Sequence, residues 1–448
     1  MEILNKKRLW ILFIFIFSVA IILRFILLNQ RELWLDELFS FAFTTCSPIE
    51  LLSPKTTLPQ TPFYFILLSS LPTSSPDWLF RLPSAIFGFM TVLFPTIWLI
   101  RKQMFKTALI TSVLLAFNPW MIYWSIEARM YSLYGLLITI LILQTVEEKI
   151  SNTTWFILAT LSFFTFPYAI FYLIYPFLYL IFKRKNILWG GIFSFILILL
   201  WSLFAFQHVI NNSGPTTFDK LTFKMFGLFF KTFISGNFIS FSRELILPLI
   251  FSALAGLIGI SVPFIKAFRN KKSMEFHLIL SALLPFAFYY PTQFLISLGF
   301  TFRAFFPSGI LLVIVMALGI AQLKPKFIFT IVAILILSWS VILNFYFTPS
   351  YPYNWNKPRD LHYELIFKQI SNDDNDGSIF YFKSFESVMA SIRYMPHTNA
   401  KKIFSELEYK KMILPMENNF FMKLFQKNEI EVAEISTTSD TSKIIVIE

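Results

Sequence analysis

Residues 6–40 read KKRLWILFIFIFSVAIILRFILLNQRELWLDELFS. Three basic residues, Lys6, Lys7 and Arg8, precede an apolar run over 9–28. Beyond it come Arg31, Glu32 and the adjacent carboxylates Asp36 and Glu37. A bilayer core about 30 Å thick takes roughly 20 apolar residues of helix. The run is continuous rather than alternating, so it reads as a helix and not as a barrel strand. It contains no small-residue cleavage site, so it reads as a retained first span rather than a signal peptide.

The same pattern recurs along the chain. Further apolar runs lie at 79–100, 107–124, 130–146, 154–166, 168–182, 187–206, 245–265, 275–291, 304–322 and 327–346. Of the 448 residues, 56% are hydrophobic and only 14% charged, against roughly 25% charged in a soluble domain. The reading is an all-α polytopic membrane protein with about 11 transmembrane helices. No internal repeat is visible. Between Lys149 and Lys183 lies one long apolar stretch with basic residues at both ends, which requires an even number of crossings. Pro167 breaks a helix there, so two short spans in a hairpin are expected.

The net charge of +12 does not point to nucleic acid, because of where the charge sits. With Lys6–Arg8 placed in the cytoplasm and sides alternated, the inner loops collect Arg101, Lys102, Lys106, Lys149, Lys183, Arg184, Lys185, Lys266, Arg269, Lys271, Lys272, Lys324 and Lys326. That asymmetry is the positive-inside pattern. An odd number of spans puts the C-terminus outside. Residues 1–346 then form the membrane domain and 347–448 a small exterior α+β domain. A Pro/Tyr/Asn stretch from Pro349 to Pro358 links the two. A helix is expected at Leu361–Ile370 and strands at Ser378–Phe382 and Lys443–Ile447. The lone cysteine, Cys46, cannot form an internal disulfide.

Charged residues near membrane depth are costly and tend to be functional. Here they gather at the outer side. Asp36 and Glu37 follow the first span among apolar and aromatic neighbours, where burial would raise a carboxylate pKa and poise it as a general base. Such a pair can also hold a divalent cation; the plain alternative is a helix N-terminus, where acids favour the dipole. Glu127 and Arg129 stand in an otherwise apolar turn between the third and fourth spans. Arginine binds phosphate bidentately; the alternative is an interfacial arginine paired with Glu127. Arg303 opens the tenth span at the same side. Arg24 is expected to snorkel to the interface, and Arg81 to mark a span boundary. The loop 207–244, with His208, Lys220, Lys224, Lys231 and Arg243, reads as either an interfacial segment or a solvated loop. No Walker A or GxGxxG motif occurs, and no zinc spacing. Asp373-Asp374-Asn375-Asp376-Gly377 reads as a turn.

Three stretches, taken with the span pattern, resemble the GT-C glycosyltransferases of family 39 type, which include protein O-mannosyltransferases and aminoarabinose transferases. Leu33-Trp34-Leu35-Asp36-Glu37-Leu38-Phe39-Ser40 resembles the family's first-loop Asp-Glu motif. Arg81-Leu82-Pro83-Ser84-Ala85-Ile86-Phe87-Gly88 is similar to the start of its second span. Glu127-Ala128-Arg129-Met130-Tyr131-Ser132-Leu133 is similar to the start of its fourth. The resemblance covers about residues 1–345. It implies a polyprenyl-phosphate sugar donor and a lipid, glycan or protein acceptor at the outer face, with Asp36 as base and phosphate leaving with inversion. Glu37 would position the acceptor or assist a metal, and Arg129 and Arg303 would hold the phosphate, with Glu127 and Tyr131 in support. Relatives often carry a histidine before a Pro-Pro-Leu-Tyr-Tyr-like run. This chain has Gln60 in Pro59-Gln60-Thr61-Pro62-Phe63-Tyr64-Phe65, which implies a divergent acceptor.

Two other classes stand beside this reading. A transporter or flippase usually places polar groups or broken helices near the midplane, where these runs carry almost no charge. A non-catalytic scaffold of the same fold would not need Asp36, Glu37 and Arg129. The expected location is a bacterial plasma membrane, with the endoplasmic reticulum as the alternative, and with the N-terminus cytoplasmic and the C-terminus extracytoplasmic.

Overall fold

Runs of Leu, Ile and Phe form helices because a backbone removed from water must satisfy its own amide and carbonyl groups. The computed structural model describes residues 2–29, 32–52, 61–183, 188–212, 246–271, 273–295, 302–323, 379–382, 384–394, 401–405, 430–433 and 444–447, with isolated positions 222, 227, 229, 230, 233, 367, 425 and 428. Helices Glu2–Phe25, Asp77–Arg101, Phe105–Phe117, Tyr131–Val146, Asn152–Thr165, Ala169–Phe182, Leu188–Asn212, Ile246–Arg269, Met274–Leu295 and Phe306–Gln322 coincide with the apolar runs. The expected span 327–346, Gln60, the stretch 349–358, residues 373–377 and the basic side chains of 207–244 lie outside the described residues. Of the helix expected at Leu361–Ile370, only Phe367 is described; it is buried.

The run over 107–124 is not one straight span. Helix Phe105–Phe117 stops at Asn118, and helix Pro119–Ser125 leaves it at 60°. Asn118 is extended, and its side chain accepts the amide of Met121 at 2.9 Å, capping the short helix that Pro119 opens. The Phe166–Pro167 break falls where proline predicted it, between helices Asn152–Thr165 and Ala169–Phe182 of 14 residues each. At 1.5 Å per residue each is about 21 Å long. Among the described residues, three helices are long and apolar enough to cross a bilayer unaided: Lys7–Phe25, Asp77–Arg101 and Phe302–Gln322. Counting the bent pair as one span makes four.

The chain divides into two compact units. The first comprises Met1–Leu28, Arg81–Ile198 and Thr217–Arg359. At its centre lies Phe306–Gln322, buried continuously from Phe306 to Ile320. It packs against helices Ile246–Arg269, Phe105–Phe117, Met274–Leu295 and Tyr131–Val146. A Cβ on Gly319 would stand 1.7 Å from the carbonyl oxygen of Gly259, so this helix pair touches backbone to backbone, as small residues permit in membranes. Helix Glu2–Phe25 is the opposite case, with Trp10, Ile11, Ile14, Phe15 and Ile22 each more than half exposed. Such faces require an apolar solvent. The chain is an integral membrane protein.

The second unit comprises Asn29–Phe80, Leu199–Thr216 and Asp360–Glu448. It contains four strands, β1 (Ile379–Phe382), β2 (Lys401–Ser405), β3 (Ile430–Ala433) and β4 (Ile444–Ile447), in the order β3-β2-β1-β4. Strands at β1 and β4 were legible in the sequence; their direction was not. All three pairings are parallel. Parallel neighbours need crossover connections, and helix Phe385–Tyr394 provides the one between β1 and β2. The α+β expectation therefore gives way to an α/β arrangement.

Replacing Gly319 by Ala forces the Gly259 backbone away. The expected cost is toward the upper end of the usual overpacking range of about 1–3 kcal/mol. It would be read as a lowered melting temperature in detergent, with Gly227→Ala, whose Cβ would meet nothing within 4 Å, as the control.

Candidate active site

The acids and the arginines expected to act are carried by different units, and each cluster has its own geometry. Asp36 and Glu37 lie in the first turn of helix Leu35–Thr44, where the dipole favours negative charge. Trp34 is the extended residue that starts the helix. Glu37 is fully buried and accepts the Trp34 amide at 3.3 Å. One of its oxygens therefore satisfies an orphan donor at the helix start, the back-reaching half of a capping box. Asp36 is half-buried, and its carbonyl accepts Ser40 Oγ at 3.2 Å. The remaining face of the helix, including Leu38, Phe41 and Phe43, is buried, with Phe43 against Phe65 at 4.7 Å between ring centres. Gln60 is outside the described residues; Thr61, Tyr64 and Phe65 nearby in sequence are fully buried.

In the first unit, the Asn118 bend delivers the chain to Glu127 and Arg129, both buried. The turn is tight: the Arg129 amide donates to the Glu127 carbonyl at 2.7 Å. The Arg129 carbonyl accepts Ser84 Oγ at 2.8 Å, and Ser132 Oγ donates to the Trp124 carbonyl at 2.8 Å. Arg303 sits on the 3-10 turn Phe302–Phe305 that leads into the central helix. The guanidinium groups of Arg129 and Arg303 lie 5.9 and 5.5 Å from the centre of the same Tyr131 ring. Tyr131 is held by Trp124 at 4.6 Å and Phe166 at 5.5 Å. Two guanidinium groups thus meet on one buried aromatic ring.

Several residues that build this arrangement were not singled out as site-building in the sequence. Arg24 does not snorkel. It is fully buried, and it donates to the carbonyls of Ala20, Leu115 and Ala116 at 3.1–3.2 Å. It thereby satisfies the end of helix Phe105–Phe117 at the bend. Arg81 is also fully buried and donates to the Leu28 carbonyl at 2.8 Å. Gly88 leaves room for Ser125, since a Cβ there would meet Ser125 Oγ at 2.0 Å. The stretch Arg81–Gly88 thus acts on the turn that bears Arg129. Its signal was a cluster of polar and small residues opening an apolar run.

Among the described residues, no three His, Cys, Asp or Glu side chains gather as a metal site. Two solved structures are similar to nearly the whole chain. One is ArnT from Cupriavidus metallidurans bound to undecaprenyl phosphate, with TM-score 0.59 and 13% identity, covering 94% of this chain and 89% of that one. The other is the same protein in the apo state, with TM-score 0.57 and 14% identity, covering 96% and 94%. The chain has an ArnT-like GT-C fold. No protein-family model and no curated protein sequence matches it. At such identity the likeness speaks for the fold, and the ArnT-like frame is carried by packing rather than by shared residues.

Ser84→Ala would strip the Arg129 carbonyl of its hydroxyl donor in an apolar interior. The expected cost is about 1–2 kcal/mol, visible as a lower midpoint of thermal unfolding in detergent.

Proposed function

We propose that the chain is a membrane glycosyltransferase that moves a sugar from a polyprenyl-phosphate donor to an acceptor hydroxyl at the outer face of the membrane, with inversion. The observation that carries this reading is the ArnT-like fold over nearly the whole chain, one of those ArnT structures being bound to undecaprenyl phosphate. The convergence of Arg129 and Arg303 on Tyr131 supports it, because a lipid phosphate is the kind of group such a pair would hold.

In the proposed reaction Asp36 takes the proton of the acceptor hydroxyl. The oxygen attacks the anomeric carbon from the face opposite the phosphate, and the bond between that carbon and the phosphate oxygen breaks. Polyprenyl phosphate leaves with the electron pair, and the growing negative charge is stabilised by Arg129 and Arg303. Glu37 holds the loop through its bond to Trp34, and its part in the reaction is to position the acceptor or to assist a divalent cation. Glu127 and Tyr131 orient the arginines. The accompanying topology has about 11 spans in a bacterial plasma membrane, a cytoplasmic N-terminus, and residues 347–448 outside. Acceptor identity would depend on the region of Gln60 and on the C-terminal segment.

Membranes containing the full chain are supplied with radiolabelled polyprenyl-phosphate hexose, and sugar release is followed. Wild type is expected to turn over, and Asp36→Asn to lose about 100-fold or more in kcat, the scale of a lost general base. Full activity in Asp36→Asn would remove the base assignment. Absence of turnover with every donor supplied would favour the transporter or scaffold readings. Arg129→Ala and Arg303→Ala are each expected to raise the donor KM while leaving the acceptor KM in place. An equal rise for both substrates would make the arginines structural.

A further inference from the structure

Within the second unit, helix Phe385–Tyr394 packs on helix Leu35–Thr44. The last two residues of helix Phe385–Tyr394 add a polar cluster beside this contact. Arg393 donates through Nε and Nη2 to Asp77 Oδ1 at 3.1 and 2.8 Å, through Nη1 to the Thr73 carbonyl at 2.6 Å, and through Nη2 to the Ser75 carbonyl. Its guanidinium also lies over the rings of Phe41 at 4.8 Å and Phe80 at 5.2 Å. These two rings meet edge to face at 5.6 Å. The next residue takes the other carboxylate oxygen: Tyr394 Oη donates to Asp77 Oδ2 at 2.6 Å and accepts the Leu33 amide at 2.8 Å. The side chains of Arg393 and Asp77 are only 10% and 12% exposed.

A guanidinium removed from water is retained at a cost unless its donors are met in a fixed geometry. Here they are met by one carboxylate, two carbonyls and two rings. The resulting cluster grips helix Leu35–Thr44 at two places. The phenol holds Leu33, the residue just before Trp34 at the helix start, and the guanidinium covers Phe41 in the second half of the helix. One contact at each end of a 10-residue helix fixes both its entry and its rotation. Between those two points lie Asp36 and Glu37. Burial and the Asp77 carboxylate push the Tyr394 phenol well above its usual range, so it stays protonated and can donate to Asp77 while accepting from Leu33.

We propose that Arg393 and Tyr394 are positioning residues for the acid pair, setting from the C-terminal segment the direction in which Asp36 presents its carboxylate. The proposal rests on the glycosyltransferase reading for its kinetic consequence and on the hydrogen bonds alone for its structural one. Misplacing a catalytic group by about 1 Å can cost on the order of 100-fold.

Two readouts on the full-length protein separate the two layers. Tyr394→Phe keeps the ring and removes the bridge; Arg393→Lys keeps the charge and removes the fork. Amide hydrogen exchange across 33–44 is expected to quicken in both variants, with the melting temperature nearly unchanged in Tyr394→Phe. Turnover per folded molecule is expected to fall about tenfold, with the donor KM within about twofold of wild type. Unchanged exchange across 33–44 overturns the proposal, whatever the enzyme does. Quickened exchange with undiminished kcat also overturns it, since the contact would then be structural only. If wild type itself transfers no sugar, the reaction reading falls, and the exchange result alone decides whether the C-terminal helix sets the Asp36 loop.

Discussion

Where the segment 105–125 bends at Asn118, helix Phe105–Phe117 ends inside an apolar interior. The last carbonyls of any helix have no partner within it, and water is not at hand to replace one. Arg24, one helix away, reaches the carbonyls of Leu115 and Ala116. The same guanidinium bonds the Ala20 carbonyl in its own helix, so the first helix is tied to the break rather than merely packed on it. The turn that bears Glu127 and Arg129 depends on this bend. The bend starts the helix Pro119–Ser125, and that helix ends on the turn bearing Glu127 and Arg129. A straight span over 107–124 would have carried those two residues elsewhere.

Much of this was legible beforehand, for identifiable reasons. A long uncharged run has only one way to satisfy its backbone in lipid, so helices could be placed from composition alone, and proline marked the break at Phe166–Pro167. Asn118–Pro119 carries the same proline signal, but the hydropathy on either side is continuous, so the apolar run reads through it to residue 124. For Arg24 the sequence shows an arginine near a helix end and not the carbonyls within its reach. Strand direction in the C-terminal segment was likewise hidden. Parallel and antiparallel neighbours use the same short apolar strands, and the crossover between β1 and β2 becomes visible only once both are placed.

The acid pair shows a different limit. Asp36 and Glu37 are adjacent and look equivalent in the sequence. A single step along the helix separates their fates: Glu37 is fully buried and takes the Trp34 amide, whereas Asp36 stays half-buried. Adjacent residues on a helix lie about 100° apart around its axis, so their side chains meet different surroundings. A buried carboxylate that caps a helix and a partly accessible one beside it are suited to different work. The first fixes the loop, and the second can meet a proton.

The buried arginines divide in the same way. Arg24 and Arg393 direct their N–H edges at backbone carbonyls, and Arg393 adds a carboxylate. Donors used like this join segments far apart in sequence. Arg129 and Arg303 meet instead on the face of Tyr131. Contacts of this kind are attractions to the face of a ring rather than hydrogen bonds. The first kind of contact ties helix Glu2–Phe25 to the end of helix Phe105–Phe117, and helix Phe385–Tyr394 to Thr73, Ser75 and Asp77. The second brings the turn at Arg129 and the entry to the central helix at Arg303 to one ring.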